Sequence, residues 1–191
     1  MLKLIKPPNP RRGNEKKKVK LVKKIYANYI FPLWGLGGFY FNSTNQHGVH
    51  SPFVFNLITK CLYSSVNQQI TNSIPFQTKK HKTIHRLLHY FNEAHPQIIA
   101  SQNNSNTSSD IVKYIDVDYC IQNTIKIETI LSNTTNDTCF IFDNIHTNAS
   151  NQAYWKSIIQ NPVFSATIDT FQLGITFTRT EQKKQHFTIR M

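Results

Sequence analysis

Phe140-Ile141-Phe142-Asp143-Asn144-Ile145-His146 decides the fold, because three bulky apolar residues run without interruption into an acid. A strand with one wet face would alternate apolar and polar side chains. An unbroken run fits a parallel strand covered on both faces. In open α/β sheets the carboxyl end of such a strand opens into the crevice where ligands bind. Asp143 and Asn144 therefore come first among candidate site residues, and His146 follows them as a candidate base or supporting group.

The neighbouring sequence supplies partners for this strand. Residues 111–116 form a second apolar run ending in an acid, Asp116, and residues 123–131 predict a helix with Ile127, Ile130 and Leu131 on one face. Downstream, Asn148 or Ser150 can cap a helix carrying Trp155, Ile158 and Ile159, which Asn161-Pro162 stops. Residues 166–171 and 175–179 are β-rich and flank Leu173-Gly174, and residues 186–190 read as one more strand. Upstream, residues 97–100 make a short strand, followed at 101–109 by a loop without any apolar residue.

Two helices precede these strands. Ser51 can cap one with Pro52 in its first turn and Val54, Leu57, Ile58, Cys61 and Leu62 along one face. Residues 78–92 are the clearest amphipathic helix, with Ile84, Leu87, Leu88 and Phe91 at helical spacing. On that helix His81, His85 and His89 lie beside Lys82 and Arg86 and read as a solvated basic face. His47-Gly48-Val49-His50 reads as a turn in which Gly48 supplies a permissive backbone, since no Cys or acid stands at ligand spacing.

Composition bounds the rest. At 191 residues, 39% hydrophobic and 12% aromatic, the chain is long enough for one domain with a real core. The organisation expected is a basic disordered arm at 1–24, an aromatic and apolar segment at 25–50, and a domain at 51–191. The net charge of +12 is concentrated in the arm, where Arg11, Arg12, Lys16, Lys17, Lys18, Lys20, Lys23 and Lys24 face the single acid Glu15. Residues 3–24 thus read either as a solvated arm or as a contact for nucleic acid or an anionic membrane surface. Residues 25–41 are apolar but short and interrupted by Pro32, Gly35, Gly37 and Gly38, which argues against a spanning helix. Cys61, Cys120 and Cys139 are widely spaced and read as reduced thiols, giving a cytoplasmic expectation. No glycine-rich phosphate loop, zinc pattern or nucleophile elbow is present.

Four blocks carry a resemblance: STNQHGVHSPFVFNLITKC at 43–61, DIVKYIDVDY at 110–119, CFIFDNIH at 139–146, and ATIDTFQLGITFTRTEQKKQHFTIRM at 166–191. Together they resemble a class I S-adenosylmethionine-dependent methyltransferase family common in Bacteroidetes. The resemblance implies an α/β fold, an abridged Rossmann-like methyltransferase sheet of parallel strands with an antiparallel C-terminal pair. In it residues 97–100, 111–116 and 140–143 would be the first, fourth and fifth strands of the family sheet.

The departure from the family is large. A βαβ unit takes about 30 residues, so the family's second and third strands cannot fit in 101–109, and no glycine turn for the cofactor is found there. Reading Asp116 as the ribose acid of a second strand leaves the same glycine turn missing. The expectation is a methyltransferase-like protein with no S-adenosylmethionine-binding residues, no assigned catalytic residue and no activity. Cation-dependent O-methyltransferases of the catechol and caffeoyl-coenzyme-A type carry a similar Asp and Asp-Asn pair, so Asp116, Asp143 and Asn144 become candidate Mg²⁺ ligands, or else strand-end caps. Tyr119 stands where those enzymes usually place a catalytic lysine.

Loss of the outer strands would leave residues 97–100 as a sheet edge open to self-association, and would expose some of Ile84, Leu87, Leu88 and Phe91. The alternative reading is a basic binding module whose arm and aromatic segment engage nucleic acid or anionic membrane, with the sheet as scaffold.

Overall fold

The computed structural model describes residues 20, 31–64, 78–94, 96–98 and 111–191. Apart from Lys20, the basic arm at 1–24 lies outside them, as does the 101–109 loop on which the expected loss of the cofactor half rests. The elements are α1 (Phe31–Asn42), α2 (Pro52–Leu57), which runs on as a π-helical stretch over Ile58–Leu62, α3 (Lys79–Tyr90), β1 (Gln97–Ile98), β2 (Val112–Asp116), α4 (Val117–Gln122), α5 (Ile127–Ile130), β3 (Cys139–Asp143), α6 (Ala149–Gln160), β4 (Ala166–Asp169), β5 (Leu173–Phe177) and β6 (Gln185–Thr188).

The strands form one sheet in the order β1-β2-β3-β5-β4-β6. β1, β2 and β3 are parallel, β5 runs antiparallel to both β3 and β4, and β6 is parallel to β4. This is an abridged Rossmann-like α/β fold with the expected antiparallel C-terminal pair, but Leu173 and Gly174, expected between the two runs, are the first residues of β5, and the chain reverses at 170–172 instead. Every residue of β3 is buried, as its unbroken apolar run requires. Cys139 and Ile141 pack with α2 and α3 on one face, and Phe140 and Phe142 pack with α4, α5 and α6 on the other.

Local sequence sets the helix starts. Ser51 Oγ accepts from Val54 N at 3.3 Å with Pro52 in the first turn, Thr78 caps α3, and Asn148 caps α6. The helix expected at 123–131 is not where the chain places it. Asp116 caps α4 directly at the end of β2, Thr124 turns into the left-handed region at φ 52°, and only the short α5 follows. α1 is continuous from Phe31 despite its glycines.

The expected uncovering of α3 does not occur. Ile84, Leu87 and Leu88 are buried, and Phe91 packs on Phe177 with ring centroids 6.2 Å apart. The π-helical end of α2 and the C-terminal strands supply the cover, and each buried aliphatic contributes roughly 1.5–3 kcal/mol. His85 also departs from the expected solvated face, since it is buried beside these residues.

Gly48 has no positive φ. It is glycine for space: a Cβ there would come within 2.2 Å of Thr44 Oγ1. Thr44 itself bridges Ile189, its N–H donating to Thr188 O at 2.8 Å and its carbonyl accepting from Arg190 N at 3.1 Å. The segment after α1 therefore shields the β6 edge, while β1 is the opposite edge, with Ile98 exposed.

Candidate functional site

The carboxyl ends of β3 and β4 meet at a cleft of about 350 Å³ lined by Thr78, Lys80, Asp143, Asn144, His146, Thr147, Phe171 and Gln172. Asp143 ends β3 and is almost fully buried. Lys80, in the first turn of α3, brings its ammonium to 3.0 Å from Oδ1 and 2.8 Å from Oδ2. Asn144 N donates to Oδ1 at 2.7 Å, and the Tyr114 hydroxyl, projecting from β2, donates to Oδ2. A buried carboxylate is tolerated only when paired and hydrogen-bonded, and Asp143 meets both conditions. Burial, and then the hydrogen bond to Asp143, hold the Tyr114 hydroxyl protonated well above its usual range.

Beyond Asp143 the chain turns through Asn144 at φ 62°. Asn151 of α6 fixes that turn, its Nδ2 donating to Asn144 O and to Asp118 Oδ1, each at 2.8 Å. The turn brings His146 to the end of β4, where its Nε2 lies 2.7 Å from Asp169 Oδ2. An ionised carboxylate only accepts, so Nε2 carries the proton. Trp155 Nε1 donates to the same oxygen at 2.9 Å, and Phe171 N donates to Oδ1 at 2.8 Å. The His146 ring stacks on Phe171 at 5.2 Å with 13° between planes. His146 Nδ1 is buried without a hydrogen-bond partner among the described residues.

Asp116 and Asp143 are partners across parallel strands, so the structure brings the two predicted carboxylates to one sheet edge. It gives them separate work. Asp116 Oδ1 accepts from Asp118 N at 2.8 Å and Tyr119 N at 3.3 Å, which is helix capping, and Asp116 does not line the cleft. Lys80 occupies both oxygens of Asp143, and its charge opposes a divalent cation at that carboxylate. Among the described residues no group of three or more His, Cys, Asp or Glu is placed to hold a metal ion, and His47 and His50 are exposed in their turn. The donor set at Asp143 and Asn144 as it stands does not fit Mg²⁺, which prefers octahedral oxygen ligation.

Several residues of this site escape the sequence reading. Asp169 follows Ala166-Thr167-Ile168, a run that ends in an acid as β3 does, and the same rule would have found it. Trp155 reaches Asp169 because Gly174 leaves room for it, a Cβ there falling 2.5 Å from the indole. Lys80 and Tyr114 carry no local signal, since their role depends on a partner 63 and 29 residues away.

Compared with protein-family models, with curated proteins and with solved structures, the chain finds no match. No helix among the described residues is long and apolar enough to cross a membrane.

Proposed function

We propose that the domain is a class I S-adenosylmethionine-dependent methyltransferase-like protein that no longer binds the cofactor and is catalytically inert. The observation that carries this reading is the state of the strand-end carboxylates. Asp143 is held by Lys80, Tyr114 and Asn144 N, Asp169 by His146, Trp155 and Phe171 N, and Asp116 by the start of α4. Ribose hydroxyls need an accepting carboxylate, and each of these already accepts from the protein. This engagement supports the loss of nucleoside binding at the cleft that Asp143 lines. The order β1-β2-β3 supports the descent, because the family's first, fourth and fifth strands lie side by side in that order, and among the described residues no strand lies outside β1.

In this reading the paired groups work as fasteners that close the strand ends. Lys80 ties α3 to β3, and His146 with Trp155 ties the β3–α6 turn and α6 to β4. Calorimetric titration of the full chain with S-adenosylmethionine and S-adenosylhomocysteine tests it. The expected result is no saturable heat at millimolar ligand. One-to-one binding in the micromolar range overturns the proposal and gives the cleft back to the cofactor.

A further inference from the structure

Residues 16 to 92 hold eleven Lys and Arg and no Asp or Glu. The described part of that segment includes α1, α2 and α3, so a whole helical layer lacks acidic side chains, whereas α4 and α5 across the sheet carry Asp118 and Glu128. On α3, Lys80 is neutralised by Asp143, but Lys79 and Lys82 are exposed and enter no ion pair among the described residues. They border two adjoining cavities that share Lys79, Thr83 and Met191, one of about 140 Å³ reaching Tyr40 and Arg190, the other of about 390 Å³ reaching Tyr63 and Arg86. The Arg190 guanidinium lies 5.8 Å from the centre of the Tyr40 ring, which joins this basic rim to α1.

α1 is its counterpart. It has no charged residue, and from Leu36 to Asn42 only Phe39 is buried, against Phe171 at 5.4 Å. Tyr40 is 49% exposed and Phe41 93% exposed. Exposed aromatics on a helix that borders, through Tyr40, cations with no ion pair among the described residues mark a surface that meets something apolar and anionic at once. Two partners combine these properties, and the arrangement separates them. Single-stranded nucleic acid stacks bases on aromatics set within a positive groove. Here the apolar helix has no cation of its own and the cations stand on α3 and at Arg190, which is the layering of an anionic bilayer, with charged headgroups above hydrocarbon. At twelve residues α1 is about 18 Å long, too short for the roughly 30 Å hydrocarbon core but suited to lying in its surface.

We propose that α1 and the rim of Lys79, Lys82 and Arg190 form a docking face for an anionic lipid bilayer, with Tyr40 and Phe41 entering the headgroup boundary and the cations resting on lipid phosphates. This face belongs to the folded domain, is distinct from the basic arm, and does not depend on whether the cleft binds a cofactor.

Vesicle flotation of the full chain tests it, using phosphatidylcholine vesicles with and without phosphatidylserine. Binding is expected only with phosphatidylserine and declines with salt. The double substitution Lys79→Gln/Lys82→Gln lowers partitioning about fivefold for each lysine removed, and Phe41→Ser lowers it about tenfold. These side chains are exposed, so the variants keep the wild-type circular dichroism and melting curve. A companion variant with Lys16, Lys17, Lys18, Lys20, Lys23 and Lys24 all changed to Gln keeps the dependence on Phe41. The proposal is overturned if the face variants bind vesicles like the wild type while the arm variant does not. It is equally overturned if Phe41→Ser weakens only binding of a single-stranded RNA oligomer, or only dissociates a dimer seen by sedimentation without any effect on vesicles.

Discussion

The ends of β2 and β3 look alike in sequence and behave differently in the folded chain. Asp116 and Asp143 each close an apolar strand, and they are direct partners across the sheet. Asp116 is partly exposed and spends its carboxylate on N–H groups two and three residues ahead, because α4 starts at once. Asp143 is buried and takes its partners from α3 and β2, because the chain turns away at Asn144 and leaves space for the first turn of α3 to approach. The difference teaches that an acid after an apolar strand specifies a polar strand end. Whether that end becomes a cap or an ion pair depends on which helix arrives over it.

Replacing each carboxylate in turn should split the two ends most widely. Asp143→Ala removes one partner of a buried pair, a loss of 3–5 kcal/mol in general. Lys80 keeps 28% exposure and can regain water, so we expect about 3 kcal/mol. Asp116→Ala loses a helix cap and should lower stability by about 1 kcal/mol. Urea denaturation of both variants checks the contrast, and equal losses would mean that the two ends share one role.

Alkaline pH sharpens the comparison at the β3 end alone. The Tyr114 hydroxyl is held above its usual value of 10.0 by burial first and then by Asp143. The unfolded chain ionises this tyrosine as pH passes 10.0 while the folded chain does not. The stabilisation is therefore complete below that pH and is lost as pH rises toward the folded value. Tyr114→Phe should unfold with a shallower dependence on pH above 10.0 than the wild type. The buried Cys61 thiol, pushed up by burial to about 12, loses stability in the same direction, but it is present in both chains and cancels in the difference. Identical slopes would show that Tyr114 ionises freely in the native state.

The smallest effect concerns metal. With Lys80 on Asp143 and Asp116 engaged in capping, millimolar Mg²⁺ should leave the melting temperature unchanged. A rise that Asp143→Ala abolishes would show the two ends acting together as a cation site.

Much of the architecture was written locally. The unbroken run at β3, the matching run at β2, the caps Ser51 and Asn148 and the stop at Asn161-Pro162 each act within a few residues, so periodicity and capping chemistry place them from the sequence. Of the site, Asp143, Asn144 and His146 were legible as the residues at a buried strand end. Their chemistry was not, because Lys80, Tyr114 and Asp169 reach them only after the sheet has formed.

What the sequence by itself determined is therefore the approximate set of strands, the starts of α2, α3 and α6, and the acids that close β2 and β3. The tertiary structure alone decided that Thr44 covers the β6 edge, that α3 keeps its cover, and that Lys80 meets Asp143 while His146 meets Asp169. The reason is physical: caps and periodic faces arise from interactions between near neighbours, whereas a buried ion pair requires two distant segments to arrive together and exclude water.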